Sequence, residues 1–166
     1  MSDDRQYQKA RDAALRLLTH RPRSEAEVSG RLAQRFPEDI VDRVVASLRE
    51  QSLLNDDEFA RLWTESRDNH NPRSAAAIRR ELVDKGVSKA TAEEAVADVD
   101  DSDGAYRAAA KFARRLAGAE YESFHRRLWG HLQRRGYNAS VSRQTAARLW
   151  EEMGGDSEDS EDSDFD

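Results

Sequence analysis

The residues with the most chemistry to offer are basic and fall on helical spacings. Arg127, His131 and Arg134 stand at i, i+4 and i+7, with Arg126 further round and Arg135 closing the segment. Lys111, Arg114 and Arg115 lie in the preceding segment, and Arg79 with Arg80 in an earlier one. Guanidinium groups at one-turn intervals can meet successive phosphates of a nucleic-acid backbone, giving salt-sensitive, sequence-independent contact. Arginine-rich faces are also often solvated or paired with acids such as Glu120 and Glu122, so a plain solvated surface competes with this reading.

Other constellations point away from catalysis. Asp56, Asp57 and Glu58 would suit a metal or a carboxylate pair, but they follow Asn55 and open a helical stripe, where acids complement the helix dipole. His20, His70, His125 and His131 form no i, i+4 pair, and there is no cysteine, so neither a zinc site nor a disulfide framework is expected. Phe59 and Trp63 at i, i+4 read as core, and Trp129 and Trp150 as partly exposed residues beyond core leucines. Glycine-rich phosphate loops, nucleophile elbows and dinucleotide fingerprints are absent from the sequence. No enzyme, cofactor or metal is therefore expected.

The elements that must position these residues are all helical. Tyr7, Ala10, Ala14, Leu17 and Leu18 mark a first helix, and Ser24 with Glu27 forms a capping box before Val28, Leu32 and Phe36. Pro37 separates this from a stripe of Ile40, Val41, Val44, Val45 and Leu48. Leu54 and Phe59 are placed as a hydrophobic staple around the next start, where Phe59, Leu62, Trp63 and Ser66 are expected on the inner face. Ser74 opens a fifth helix carrying Ile78 and Leu82, which Gly86 ends and Ser88 follows with a new cap. Ala92, Val96 and Val99 lie on the sixth, and Ala109, Phe112, Ala113 and Leu116 on the seventh. Phe124, Leu128 and Leu132 mark the eighth; Gly136 stops it, and Val141, Thr145, Ala146 and Leu149 carry the ninth. No stretch alternates with period two, so no sheet is expected.

Sliding the sequence by 50 lays Arg23-Ser24, Val28, Leu32 and Arg35 over Arg73-Ser74, Ile78, Leu82 and Lys85, and a second slide reaches Ser123-Phe124, Leu128, Leu132 and Arg135. The first repeat lacks the glycine that Gly86 and Gly136 supply. The expected architecture is all-α: about nine helices in three tandem three-helix repeats forming an elongated array, with a disordered acidic tail. The repeats are read as residues 1–54 with an N-terminal extension, 55–100 and 101–153, and the tail as 154–166.

Charge follows these divisions. The net charge of -6 arises from the tail, whose seven acids and no bases leave the rest with 27 bases against 26 acids. The first repeat is +1, the second -4 and the third +4, which favours the third for phosphate contact. The tail is read either as solubilising or as a competitor of DNA for the third repeat. No apolar run spans a bilayer, and the polar start of the chain has no apolar stretch behind it, so a soluble cytoplasmic protein without a secretory leader is expected.

Three segments together resemble the RecX family, bacterial-type regulators of the RecA recombinase. They are Arg23-Ser24-Glu25-Ala26-Glu27, Leu53-Leu54-Asn55-Asp56-Asp57-Glu58-Phe59-Ala60-Arg61 and Ile78-Arg79-Arg80-Glu81-Leu82-Val83-Asp84-Lys85-Gly86-Val87. The resemblance covers roughly residues 10–150, while the tail, Asn71-Pro72 and the Arg35-Phe36 stop depart from the family pattern. It assigns structural roles to Ser24, Glu27, Leu54, Asp56, Asp57, Phe59, Ala60, Leu82, Gly86 and Gly136. It implies a non-enzymatic, monomeric modulator that binds the RecA filament on single-stranded DNA, with duplex DNA as a further partner, and restrains filament growth, ATP hydrolysis and strand exchange. The alternatives are a direct duplex-DNA binder and a helical-repeat adaptor unrelated to recombinase.

Overall fold

The computed structural model describes residues 2–155; the expectations for the acidic tail fall on residues that lie mostly outside them. Among the described residues there are nine helices and no strand. They are α1 (Ser2–His20), α2 (Glu25–Ala33), α3 (Glu38–Glu50), α4 (Asp56–His70), α5 (Ala75–Asp84), α6 (Lys89–Ala95), α7 (Asp101–Arg115), α8 (Tyr121–Arg134) and α9 (Ala139–Glu152). The helix starts are chemically explicit. Ser24 accepts from the Glu27 amide at 3.1 Å, and Glu27 accepts in return from the Ser24 amide, closing the capping box. Asn55, Ser74, Ser88, Asp100 and Asn138 each accept from amides of the first turn that follows.

The chain forms two compact units, one from Met1–Ser66 with Ile78–Asp98 and the other from Arg67–Ala77 with Val99–Asp166. In the first, α1, α2 and α3 pack mutually around Ala10, Ala14, Val28, Leu32, Ile40, Val44 and Leu48, which are all but inaccessible. In the second, α7, α8 and α9 do the same around Ala105, Ala109, Phe124, Leu128, Leu132, Tyr137 and Ala146. Burying such side chains contributes about 1.5–3 kcal/mol each for the larger ones, and the alanines let helix axes approach.

The inner face of α4 differs from the expected one. Phe59, Ala60 and Thr64 are buried, whereas Ser66 is exposed. The reason is phase: the buried pair Ala60 and Thr64 is four apart, and Ser66 stands about 200° round from Thr64 at 100° per residue.

Each unit contains the same joint. In the first, the Ser24 hydroxyl donates to the Lys85 carbonyl at 2.5 Å, and Asp56 accepts from the Glu25 amide at 2.9 Å. In the second, the Ser74 amide donates to the Arg135 carbonyl at 3.1 Å, and Asp101 accepts from the Ala75 amide at 2.8 Å. Both joints need glycine. Gly86 and Gly136 have φ of 86° and 87°, a region costly for other residues. A Cβ on Gly86 would run into Ala26, and one on Gly136 would come within 2.6 Å of Ser74 Oγ and 2.7 Å of Ala77 Cβ. Neither Arg35 nor Phe36 adopts a positive φ, so the stop of the first repeat dispenses with glycine.

Candidate nucleic-acid interface

The basic residues singled out by spacing divide between the units. Arg79 and Arg80 lie on the part of α5 in the first unit, where Arg79 pairs with Glu93 at 3.6 Å. Lys111, Arg114 and Arg115 on α7 and Arg126, Arg127 and Arg134 on α8 lie in the second, all of them exposed. None of these six carries an ion pair among the described residues. Several arginines of the first unit are paired instead. There Arg21 and Arg23 meet Glu27, Arg43 meets Asp3, Arg49 meets Glu25, and Arg61 lies between Glu58 and Glu65.

Core burial fixes where the free cations point. Phe124, Leu128 and Leu132 hold one face of α8 inward, so Arg126, Arg127 and Arg134 must face solvent. His131 packs instead against α7. Its Nε2 lies 3.1 Å from the Ala108 carbonyl, and its ring stacks on Phe112 at 4.4 Å with planes 2° apart. That stack joins α8 to α7 at residues flanked in sequence by Arg127 and Arg134 on one helix and by Lys111 and Arg115 on the other. Burial pushes the His131 pKa down, and Arg135 and Arg134 push it further, so the imidazole adds no charge at neutral pH. Arg135 is also engaged, with its guanidinium 3.4 Å from His131 Nδ1 and its carbonyl in the joint. Spacing groups His131 and Arg135 with the free cations; packing gives them a positioning role.

Two other cations of the unit are taken. Arg107 bonds Asp103 and Asp68, each at 2.8 Å, and Arg148 bonds Glu152 at 3.0 Å while lying over the Tyr106 ring. Arg143 on α9 is exposed and carries no ion pair among the described residues, a position the spacing argument missed because it has no basic neighbour one turn away. Aromatic residues border the other flank of α8. Tyr121, His125 and Trp129 follow at four-residue intervals, with His125 and Trp129 rings 6.3 Å apart and Trp150 edge-on to Tyr121 at 5.2 Å.

The motif residues have structural work. Leu54, Phe59, Ala60 and Leu82 are buried, and Asp57 stands in the first turn of α4. Asp56 does more than complement a dipole, since it ties the start of α4 to the first amide of α2. Burial pushes its carboxyl up, and the neighbouring Glu25 and Asp57 charges add to this. Asp101 has the matching task on α5 and was missed, although it occupies the same place after a cap residue. Among the described residues no group of acids and histidines is placed to hold a metal ion, and no helix is long and apolar enough to cross a membrane.

Comparison with known proteins places this geometry. Residues 10–48 match the model for the first three-helix domain of RecX, and residues 55–96 the model for the second. The regulatory protein RecX of Streptomyces lividans is 34% identical over 155 residues, covering 91% of this chain and 82% of its own length. That of Mycobacterium avium is 35% identical over 146 residues, covering 85% and 84%. The chain belongs to the RecX family. The crystal structure of RecX from Lactobacillus salivarius has a TM-score of 0.76 at 22% identity, covering 88% of this chain and 97% of that one, a likeness of fold. The RecX domain matches end and begin around residues 48–55, where the chain passes from α3 through Leu54 to α4. The relatives are named as regulatory proteins, and this chain is a member of that regulatory family.

Proposed function

We propose that this RecX-family protein binds the filament that a RecA-type recombinase forms on single-stranded DNA, and restrains its growth, ATP hydrolysis and strand exchange. It acts without cofactor or catalysis, as a monomer in the cytoplasm. The observation that carries the DNA side of this reading is the set of six cations on α7 and α8 without carboxylate partners, set against the paired arginines of the first unit. Unpaired guanidinium groups on a rigid helical face release counterions on meeting phosphates, giving affinity without sequence preference. Arg79 and Arg80 are proposed as additional contacts, with Arg79 leaving Glu93.

The test is titration of the protein into a recombinase–single-stranded DNA ATPase assay, beside a variant with Arg126, Arg127 and Arg134 changed to alanine. Inhibition below one regulator per recombinase monomer, weakened in the variant, supports the reading. No effect at equimolar protein with the cognate recombinase overturns it.

A further inference from the structure

One side-chain cluster occurs in three versions. The inner pairs Ala10 and Ala14, Ala60 and Thr64, and Ala109 and Ala113 are buried in α1, α4 and α7. The residue before the second member of each pair is Ala13, Trp63 and Phe112 respectively. The companions on the next helix and just past its end are Arg31 with Arg35, Glu81 with Lys85, and His131 with Arg135. In the second version Trp63 Nε1 donates to Glu81 Oε2 at 2.9 Å, and Lys85 Nζ stands 4.5 Å from the indole centroid. In the third, Phe112 stacks on His131, which Arg135 approaches. Both clusters thus hold an aromatic ring beside a cation.

In the first version Ala13 stands where the other two carry that ring. Ala13 leaves a hollow of about 300 Å³, walled by Leu17 and Phe36 and rimmed by Arg16, Arg31 and Arg35. None of these three arginines carries an ion pair among the described residues, and Arg35 lies 5.7 Å over the Phe36 ring. Where the second version supplies its own carboxylate, Glu81, the first has a further cation, Arg31. Among the described residues, no ring takes the place of Trp63 and no carboxylate that of Glu81, while the apolar wall and the cations remain.

We propose that the hollow is a docking site for an acidic segment of a partner protein bearing an aromatic side chain. The ring enters over Ala13, as Trp63 does in the next repeat, and contacts Leu17 and Phe36. Flanking carboxylates meet Arg16, Arg31 and Arg35, taking the part that Glu81 takes toward Trp63 and Lys85. Bidentate guanidinium–carboxylate pairing around a buried aromatic anchor gives both orientation and affinity.

The experiment follows the fluorescence anisotropy of a dye-labelled synthetic peptide, one tryptophan among acidic residues, titrated with the full chain. The tryptophan peptide is expected to bind at least about tenfold more tightly than its alanine counterpart. Ala13→Trp, which fills the hollow from within, is expected to remove that preference while leaving the circular dichroism unchanged. Arg31→Glu with Arg35→Glu is expected to weaken binding by at least about tenfold without touching the core. Equal binding of the two peptides reduces the effect to charge alone and overturns the proposal. So does full affinity in a folded Ala13→Trp variant, or in the double glutamate variant should Ala13→Trp not fold. A gain of more than about tenfold on removing residues 156–166 assigns the hollow to the chain's own tail and likewise overturns it.

Discussion

The Ser24 hydroxyl reaches the carbonyl of Lys85, 61 residues further along the chain, at 2.5 Å while also capping α2. One buried oxygen thereby serves a helix start and the end of another helix. Ser74, 50 residues on, occupies the same place relative to Arg135 through its amide. The joint explains why the serines and glycines of the motif recur together: the glycine lets the neighbouring helix start come close enough for the serine to reach.

Gly136→Ala is expected to destabilise the protein by more than about 2 kcal/mol, combining a left-handed backbone cost with collision against Ser74 and Ala77. Gly118→Ala supplies the control, since its φ is 84° but nothing lies within 4 Å of an added Cβ. It should cost only about 1–2 kcal/mol. Urea denaturation of both variants separates strain from crowding; equal losses would remove the crowding argument.

Tyr137 sets up an asymmetric test. Its ring is 1% exposed, and its hydroxyl is buried with no hydrogen-bond partner among the described residues. Tyr137→Phe is expected to leave stability within about 1 kcal/mol of native or to raise it, because the phenol is desolvated without compensation. Tyr137→Ala should cost about 3–5 kcal/mol through the cavity it leaves. A large loss in the phenylalanine variant, measured in the same urea series, would mean that the hydroxyl has a partner.

His131 gives the pH dependence a sign. Burial holds its pKa below the ordinary 6.5, so the unfolded chain takes up a proton before the folded one does. Its contribution is fully present above pH 6.5 and is lost as pH falls through that value toward the lowered one. The difference in unfolding free energy between the native protein and His131→Gln is expected to shrink as pH drops from neutral to acid. A constant difference over that range would show a histidine that titrates normally.

The free and the paired arginines should behave differently toward DNA. Replacing Arg126, Arg127 and Arg134 by alanine is expected to flatten the salt dependence of single-stranded DNA affinity by about 0.7 in log–log slope for each phosphate that is no longer neutralised. Arg61→Ala, which removes a cation already held by Glu58 and Glu65, should leave that slope unchanged. Matching decreases from both variants would point to net charge rather than the α7–α8 face.

Much of the fold is legible in the sequence alone. Capping boxes, proline and glycine stops and the 50-residue period are local or repetitive signals, so Ser24, Glu27, Gly86 and Gly136 and the helical class can be read directly. Ser66 is misplaced by that reading because a short amphipathic stripe leaves its phase uncertain, and Thr64 carries no apolar signature strong enough to correct it. His131 looks like a member of a basic stripe because spacing records the face of a helix, not which neighbour covers it.

Helix positions and the repeat were therefore determined by the sequence itself, since hydrogen bonding within a turn and apolar spacing depend on residues a few positions apart. Which arginines are neutralised, why two repeats need glycine and the first does not, and where Ala13 leaves an unfilled place were decided only by the tertiary structure. Each depends on which side chain from a distant segment arrives within a few ångströms, and nothing in the local pattern specifies that.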